Sequence, residues 1–377
     1  MGPRAPEAEC PSDLDALAAT ALGQYDTIII DIEGACNLRC VYCYQSDRNF
    51  VPHKGMGEAV VDAAISLAKS YGRGAINVTS QGEFTHAKTW MRTAAKLLAS
   101  GISVHCTSNL ARPLTAPEIE TLSKFFFICL SLDTADRETL RAVRRAADIR
   151  AIAHNVLRIR AAAAAEGRNP PHLVVNCVLS SANARQIPDL VAYCFALGAS
   201  GVHLAPLHAY GDFGFDKDQL GDAAVSDPVE TWDSGRLGEL YADFVKTIEI
   251  ARHAGKAFAI APGLAQRFEA RLKGADNSAK DVPPGQTRLC LQPWDRAVVN
   301  HDGSITPCCY GADPVGNIAT DGIEAVMGGE KLVALKRALL TGENLPAACR
   351  GCVGEAIGAP EIQQARVRHY LAQRRPT

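Results

Sequence analysis

The chain lacks the features that mark membrane proteins and nucleic-acid-binding proteins. Its 377 residues carry a formal net charge of only −2, with no long run of one sign. A nucleic-acid groove or a surface for anionic membranes would need clustered Lys and Arg, so neither is expected. The N-terminus has no basic segment followed by an apolar stretch, and no apolar run approaches the roughly 20 residues of a membrane span. These absences favour a soluble, cytoplasmic protein.

What the chain does have is cysteine, with 13 residues of this type. In a secreted chain such a number would indicate disulfides, but without a signal peptide the better interpretation is metal ligation in a reducing compartment. The 377 residues, 47% of them apolar, can bury one large core and a smaller module.

Three of the cysteines, Cys36, Cys40 and Cys43, follow the apolar run Thr27–Ile30. A short loop of this kind can direct three thiolates at one centre, and thiolates are soft ligands suited to iron and zinc. Because each iron of a four-iron cluster needs a ligand, three cysteines leave one iron open to a small molecule. The alternatives are a zinc site without its fourth ligand and buried thiols that pack as small hydrophobic residues. Nothing nearby completes a zinc site, which favours the open cluster.

The spacing CxxxCxxC, with the aromatic Tyr42 before the last cysteine, resembles the signature of the radical S-adenosylmethionine (SAM) enzymes. In that family the open iron is chelated by the amino and carboxylate groups of SAM. Reductive cleavage then yields methionine and a 5'-deoxyadenosyl radical that removes hydrogen from a substrate. The resemblance implies a 4Fe-4S cluster on the three cysteines, SAM beside Tyr42, and an electron donor such as flavodoxin or ferredoxin.

From Asp26 to about Leu207, short apolar runs alternate with helical patterns. Strands are predicted at residues 27–32, 75–79, 103–106, 126–132, 173–179 and 201–206, and helices at 58–70, 88–99, 117–124, 137–166 and 184–197. This alternation predicts a parallel sheet with right-handed crossovers. Six such units match the partial (β/α)6 TIM-type barrel that the resemblance implies, an α/β fold. Chemistry in such barrels collects at the C-terminal strand ends, and the cysteine loop follows the first strand.

The amino-acid composition changes after Leu207. Residues 208–215 are rich in Gly and aromatics, and polar residues follow to Thr231, which favours a substrate lid. A helix is expected from about Pro228, capped by Asp227, to about His253. The predicted organisation is a tail (1–24), the barrel (25–210), a lid loop and linking helices (211–285), a cysteine-rich module (286–356) and a C-terminal helix (357–377).

A second group of cysteines lies in the last quarter of the chain: Cys290, Cys308, Cys309, Cys349 and Cys352. The turn sequence Asp302-Gly303 predicts a hairpin that brings Cys290 and Cys308 together. Cys349 and Cys352 form a CxxC knuckle that can place two thiolates on one centre. Four thiolates complete a closed site, either for zinc or for an iron–sulfur cluster.

This arrangement, with Gly303 five positions before Cys308, resembles the twitch module, the shorter form of the SPASM extension. In that group the four thiolates hold an auxiliary 4Fe-4S cluster, so the resemblance implies one here. Three interpretations remain open for Cys309. It replaces Cys308 as ligand, it is buried and inert, or it is a free thiol that returns a hydrogen atom to a substrate radical.

Candidate SAM contacts lie at the predicted strand ends. The segment Ser80-Gln81-Gly82-Glu83-Phe84 resembles the family's GGE motif, although Gln81 and Phe84 depart from it. In that motif the carboxylate accepts hydrogen bonds from the SAM amino group, which implies Gly82 and Glu83 here; the alternative is a solvated loop glutamate. Ser131 closes the fourth strand as in many SPASM relatives, where the serine meets the SAM ribose or carboxylate. Further candidate cofactor contacts are Ser108, Asn109 and Asn176.

The candidate catalytic residues are Asp133, His203 and Cys309, and they give a substrate radical two outcomes. A base such as Asp133 or His203 deprotonates the bound hydroxyl or amine, an electron passes to the auxiliary cluster, and a ketone or imine forms. Alternatively, Cys309 returns hydrogen to the opposite face, which is epimerisation.

Only about 25 residues precede the first strand, too few for an N-terminal peptide-recognition domain. This favours a small polar substrate, such as a sugar, cyclitol or nucleoside intermediate of natural-product biosynthesis. The second hypothesis is modification of a ribosomally made peptide by crosslinking, thioether formation or epimerisation. A third, a non-enzymatic iron–sulfur or zinc protein, has no use for Glu83 beside an open cluster.

Overall fold

A computed structural model of the chain describes residues 13–46, 50–207, 232–274, 281–308 and 313–374. These residues contain a ten-stranded sheet. Its strands in chain order are β1 (Thr27–Asp31), β2 (Ala75–Thr79), β3 (Ser103–Ser108), β4 (Phe127–Ser131), β5 (His172–Leu179), β6 (Gly201–Pro206), β7 (Ala257–Ile260), β8 (Arg296–Val299), β9 (Ser304–Thr306) and β10 (Gly316–Asn317). Their spatial order is β10-β9-β8-β1-β2-β3-β4-β5-β6-β7.

Strands β1 to β7 pair in parallel, each with the next along the chain. The six strands predicted from the sequence are confirmed as β1 to β6, and the partial barrel with them. Side chains along β3, β4 and β5 alternate between buried and half-buried positions. Apart from Ser108 at the end of β3, the buried set is apolar and packs against the helices, whereas the half-buried set faces the inside of the curved sheet. This alternation places polar side chains on the concave face.

The helices fill the connections and cover the outer face. They are α1 (Asp13–Ala18), α2 (Glu58–Ser70), α3 (Trp90–Ala99), α4 (Ala116–Leu122), α5 (Arg137–Val143), α6 (Ile149–Ala165), α7 (Ile187–Ala196), α8 (Ser234–His253), α9 (Pro262–Leu272), α10 (Gln292–Asp295), α11 (Ile323–Met327), α12 (Glu330–Thr341), α13 (Ala347–Arg350) and α14 (Pro360–Ala372). Among the described helices, none is long and apolar enough to cross a membrane.

The single helix predicted over residues 137–166 is wrong, because two helices occupy this stretch. Asp136 caps α5 by accepting from the Thr139 N–H, and Asp148 caps α6 by accepting from the Arg150 N–H. Between them Ala146 adopts a left-handed conformation with φ 72°. The break leaves residues 144–145 extended, and they pair antiparallel with Arg39 and Cys40 of the cysteine loop. The interruption thus ties that loop to the barrel.

Both ends of the sheet extend beyond the predicted barrel. Strand β7 lies in the region predicted as lid and linking helices, and it pairs with β6. At the other end β8 pairs in parallel with β1, with Thr27 opposite Arg296, and forms an antiparallel hairpin with β9. The predicted hairpin is therefore confirmed, but it continues the barrel sheet instead of standing in a separate module.

The chain termini pack against each other. Residues 1–24 are predicted as a tail, whereas Asp13–Ala18 form α1, whose Leu17 is buried in one cluster with Trp294, Leu339 and Tyr370. The apolar side of α1 reaches the groove between α12 and α14, which explains its order. Residues 1–12 lie outside the described part of the chain.

The predicted lid at residues 208–231 also lies outside the described residues, together with Asp227 and Pro228. The helix predicted from Pro228 instead begins at Ser234, because Asp233 is extended and its side chain accepts from the Arg236 N–H at 2.9 Å. It ends at His253 as expected.

Candidate active site

The three-cysteine loop follows β1 at the C-terminal edge of the sheet. The Cys36 sulfur lies 3.4 Å from the Leu38 amide nitrogen, which donates to it, and the Cys43 amide donates to the Cys40 carbonyl at 3.0 Å. Cys40 is buried, while Cys36 and Cys43 are half-buried. Burial raises the pKa of Cys36 to about 11 and that of Cys43 to about 12, and the neighbouring thiols add to both shifts. The loop therefore holds protonated thiols until a cation binds, because metal ligation ionises a thiol outright.

The loop after β2 lies directly on the cysteine loop. The Gly82 amide donates to the Glu33 carbonyl at 3.0 Å, and the Glu83 amide donates to the Ala35 carbonyl at 2.9 Å. A Cβ atom added at Gly82 would lie 1.9 Å from the Ala35 carbonyl oxygen. Only glycine allows this approach, which brings three thiols and a carboxylate close together at the strand ends. The donor set and the close backbone contact fit a three-cysteine iron–sulfur cluster with SAM beside it.

We expect Gly82→Ala to separate these two loops. The added methyl group meets backbone atoms that have no rotamer to change, so we expect SAM affinity to fall by at least about tenfold, the equivalent of about 1.4 kcal/mol. Gly238 in α8 provides the matched control, because a Cβ there meets no atom within 4 Å. Gly238→Ala should raise stability by about 0.5–1 kcal/mol. Equilibrium SAM binding and thermal unfolding of both variants test this; equal SAM affinity in the two would contradict it.

Glu83 is buried, and its carboxylate connects β2, β3 and the cysteine loop. Oε1 accepts from the Thr85 amide, the Thr85 hydroxyl and the Ser108 hydroxyl, the last at 2.7 Å. Oε2 accepts from the Asn109 amide at 2.8 Å, and this is its one hydrogen bond among the described residues. A carboxylate offers about four lone-pair sites, so Oε2 retains capacity for one more donor such as an amino group.

Asn109 completes the connection to the cysteine loop. Its side-chain amide donates to Asn37 Oδ1 at 3.0 Å and lies 3.9 Å from the Cys36 sulfur. The Cys36 pKa is raised mainly by burial, and the nearby Glu83 charge adds to this shift. The structure thus brings together four of the predicted cofactor contacts, Gly82, Glu83, Ser108 and Asn109.

Asp133 does not suit the role of base that the sequence suggests for it. Its side chain is fully buried and accepts from Arg144 Nε at 2.7 Å and Nη2 at 2.9 Å. The Tyr42 hydroxyl donates to it at 2.6 Å and the Val178 amide at 2.9 Å. Four donors occupy the carboxylate, so none of its lone pairs is left to take a proton from a substrate. The group instead joins the cysteine loop to β4 and β5.

The Tyr42 hydroxyl therefore points towards this ion pair. Burial raises the pKa of Tyr42 far above its usual range, so the hydroxyl stays a donor. Sequence reasoning missed Arg144. The two capping residues Asp136 and Asp148, both followed by helix-forming sequence, were the available signal that the long helix breaks there.

A polar row crosses the concave face from the end of β4 to the middle of β6. Ser131 of β4 pairs with Asn176 of β5, which pairs with His203 of β6. His203 Nδ1 lies 2.9 Å from Asn176 Oδ1, which assigns the proton to Nδ1 because the amide oxygen only accepts. Burial lowers the pKa of His203, so the ring is neutral at pH 7. Its Nε2 then carries a lone pair that can accept a proton and that has no partner in the described part of the chain.

The four C-terminal cysteines line one cavity. Cys290, Cys308, Cys349 and Cys352 share it with Arg288 and Glu355. The Arg288 guanidinium donates to the carbonyls of Cys349 and Arg350 and so fixes the CxxC knuckle. Cys309 lies outside the described residues.

The shape of this site bears on the choice between zinc and iron. Among the described residues, no three Cys, His, Asp or Glu side chains converge as they would around one metal ion. Four thiols around one cavity form a closed ligand set that suits either a zinc ion or a 4Fe-4S cluster.

Comparison with known proteins agrees with both cysteine sites. Residues 32–165 match the family model of the radical SAM superfamily, and residues 290–353 match that of the iron–sulfur cluster-binding SPASM domain. No curated protein sequence gives a significant match.

Solved structures give matches over most of the chain. SuiB of Streptococcus suis bound to S-adenosylmethionine is 17% identical with a TM-score of 0.59, over 84% of this chain and 67% of SuiB. SuiB bound to its precursor peptide SuiA is 16% identical with a TM-score of 0.60, over 88% and 72%. The structure of anSMEcpe with bound AdoMet is 15% identical with a TM-score of 0.55, over 92% and 97%. At these identities the likeness establishes the fold.

Proposed function

Because the chain belongs to the radical SAM superfamily and carries a SPASM iron–sulfur domain, we propose that it oxidises a substrate carbon that bears a hydroxyl or amine group. The observation that carries the proposal is the neutral His203 ring on the concave face, whose Nε2 has no hydrogen-bond partner among the described residues.

Cys36, Cys40 and Cys43 would hold the SAM-binding cluster. When bound, this cluster and SAM together supply a 5'-deoxyadenosyl radical that removes a hydrogen atom from an unactivated C–H bond. Cys290, Cys308, Cys349 and Cys352 would hold the auxiliary cluster, which supplies an electron acceptor.

The residues of the chain perform the binding and the proton transfer. Glu83 Oε2 accepts from the SAM amino group, and the short contact at Gly82 keeps this carboxylate beside the thiols. His203 Nε2 takes the proton from the substrate hydroxyl or amine, while the Nδ1–H bond to Asn176 holds the ring in the accepting tautomer. In sum the substrate loses one hydrogen atom, one proton and one electron, and a C=O or C=N bond forms.

Two classes of substrate fit this chemistry. The polar row of Ser131, Asn176 and His203 supports a small molecule with several hydroxyl or amine groups, such as a sugar, cyclitol or nucleoside. The structural neighbours support a peptide, since SuiB is solved with the precursor peptide SuiA and anSMEcpe with the Cp18Cys peptide. The peptide hypothesis has at least as much support as the small-molecule hypothesis.

Product analysis separates the alternatives. The reconstituted enzyme is incubated with SAM and reductant in the presence of cyclitols, nucleosides or short peptides. The product masses are then measured by mass spectrometry. Oxidation lowers the product mass by about two mass units, because two hydrogens leave when a C=O or C=N bond forms. An unchanged product mass in H2O, with one deuterium incorporated when the reaction is run in D2O, would contradict oxidation and support epimerisation through a thiol such as Cys309.

We expect His203→Gln to uncouple SAM cleavage from product formation. Loss of a general base lowers the chemical step by about 10²- to 10⁴-fold, so 5'-deoxyadenosine should still form while the ratio of product to 5'-deoxyadenosine falls by about that factor. In the unaltered enzyme this ratio should stay constant as pH falls to below the usual titration range of histidine. It should drop only when pH passes the lowered pKa of His203, because protonation then removes the base.

His105 provides the matched control for this experiment. It is a second histidine on the concave face, and burial lowers its pKa as well, but its ring stacks on Phe126, with the ring centroids 5.4 Å apart. His105→Gln should leave the ratio of product to 5'-deoxyadenosine unchanged. If both variants behave alike, His203 is not the base.

A further inference from the structure

A pair of stacked histidines joins the barrel to the hairpin of the auxiliary site. The rings of His53 and His301 lie with centroids 4.0 Å apart and an angle of 11° between their planes. His53 belongs to the segment between the cysteine loop and α2, and His301 belongs to the turn between β8 and β9. Neither residue has a part in the chemistry proposed above, although His53 follows the cysteine loop and His301 lies between Cys290 and Cys308 in the sequence.

The hydrogen bonds of His53 define its protonation state. Nε2 lies 3.0 Å from Asp31 Oδ2, and Nδ1 lies 2.7 Å from the Lys54 carbonyl oxygen. An ionised carboxylate and a carbonyl can only accept, so both ring nitrogens must donate and the ring is an imidazolium.

The surrounding charges favour the same state. Burial acts to lower the pKa of His53, but the bonds to Asp31 and to the Lys54 carbonyl, with the charges of Asp31 and Glu33, leave it above its usual value. The titratable and charged groups around the ring are these two carboxylates, the adjacent Lys54 and the stacked His301. The cation is thus held mainly by the carboxylate at the end of β1.

Asp31 also contacts the loop after β2. Its second oxygen, Oδ1, accepts from the Gln81 amide at 2.9 Å. Gln81 directly precedes Gly82 and Glu83, which pack on the cysteine loop. Asp31 is only 4% exposed, so its two oxygens have little access to water as an alternative partner. A continuous chain of contacts therefore runs from His301 through His53 and Asp31 to Gln81.

We propose that His53 is a positioning residue that couples the auxiliary-site hairpin to the SAM-binding loop, by holding Asp31 against the Gln81 amide while His301 holds His53. This inference rests on the proposed function, in that residues 81–83 are taken to contact SAM. The turn of the β8–β9 hairpin would then support the SAM-binding loop through the His53 cation, which lies between His301 and Asp31. Loss of the His53 charge or of the His301 ring would loosen the loop.

The test uses the reconstituted enzyme under anaerobic conditions and two measurements on each variant. The first is hydrogen–deuterium exchange of the peptide that contains residues 80–84. The second is equilibrium binding of SAM, with iron content as a check on both clusters. In His53→Gln we expect faster exchange of this peptide and a rise of roughly fivefold to tenfold in the SAM dissociation constant, because one charge-assisted hydrogen bond on Asp31 is lost.

The pH profile is a readout that a merely structural residue would not change. His53 has a raised pKa in the fold, so its contribution is complete below the usual histidine pKa and is lost as pH rises through the raised value. SAM affinity of the unaltered enzyme should therefore weaken on the alkaline side, whereas His53→Gln should bind weakly at every pH without this step. The same profile and affinity in both proteins would overturn the inference.

His301 provides variants that keep His53 and the fold. His301→Phe retains an aromatic ring for the stack and should bind SAM as the unaltered enzyme does, while His301→Ala should bind several-fold more weakly. Equal affinity of these two variants would overturn the coupling even if His53→Gln failed to fold. If the unaltered, iron-loaded enzyme did not bind SAM at all, the proposed function would fail instead, and the exchange of residues 80–84 would still test the contact chain.

Discussion

Cys40→Ala should abolish SAM cleavage and leave the auxiliary site intact. With one of three thiolate ligands lost, the SAM-binding cluster should not assemble, so iron should fall from about eight to about four per chain, the content of one 4Fe-4S cluster. Formation of 5'-deoxyadenosine with dithionite and SAM should fall to background. Iron analysis and chromatography of the nucleoside test this on anaerobically reconstituted protein.

Two further cysteine variants make this result specific. Cys352→Ala removes a ligand of the other site and should also leave about four irons, yet it should still cleave SAM. Cys194→Ala alters a thiol that is buried among apolar residues of α7, and it should keep both clusters. Retained SAM cleavage in Cys40→Ala, or its loss in Cys352→Ala, would contradict the division of labour between the two sites. Bound zinc without SAM cleavage in the unaltered protein would contradict the radical chemistry itself.

The barrel strands were predictable, and candidate metal ligands could be proposed, because both depend on local sequence. Each strand is a short apolar run between helical patterns, and its parallel partners follow from the alternation of elements. The cysteines are recognisable for a similar reason, since ligand spacing within one loop is a property of the chain alone. Glu83 was predictable because its loop resembles a known motif, and its contacts with Ser108 and Asn109 agree with the expected location.

The partners of buried polar groups were not predictable in the same way. Asp133 has the sequence position of a residue at a strand end, where a catalytic base is plausible. Its actual role depends on Arg144, which is 11 residues away and reaches it only because the predicted helix breaks at Ala146. Similarly, the pairing of β8 with β1 joins residues far apart in sequence, and no local pattern specifies which edge of a sheet a later hairpin will join.

These long-range contacts have a common location. The ion pair of Asp133 and Arg144, the stack of His53 and His301, and the Gly82 contact with Ala35 all lie against the cysteine loop or the strand end before it. A loop that must present three thiols cannot also bury a large apolar surface, so polar contacts with neighbouring segments hold it in place. Loss of such a contact should lower the free energy of unfolding most where the contact is most buried, which is the ion pair of Asp133 and Arg144.

Arg144→Met should be the most destabilising of the substitutions discussed. It leaves the Asp133 carboxylate buried without its cation, and breaking a buried ion pair on one side costs about 3–5 kcal/mol. The Arg144 side chain is 8% exposed and that of Asp133 0%, so water cannot replace the lost partner. Because residues 144–145 also pair with Arg39 and Cys40, we expect the SAM-binding cluster to be lost before the auxiliary cluster on heating.

A surface ion pair and a double variant separate this effect from the mere loss of an arginine. Arg185 and Glu239 form a pair whose side chains are 69% and 64% exposed, so Arg185→Met should cost less than about 1 kcal/mol. Replacing both buried partners, as in Asp133→Leu with Arg144→Met, should recover much of the stability lost in Arg144→Met, because no uncompensated charge remains. Thermal unfolding and iron retention measure all three. Equal shifts for the buried and the exposed pair would show that Asp133 is not held by Arg144, and Asp133 would then again be a candidate for the proton acceptor beside His203.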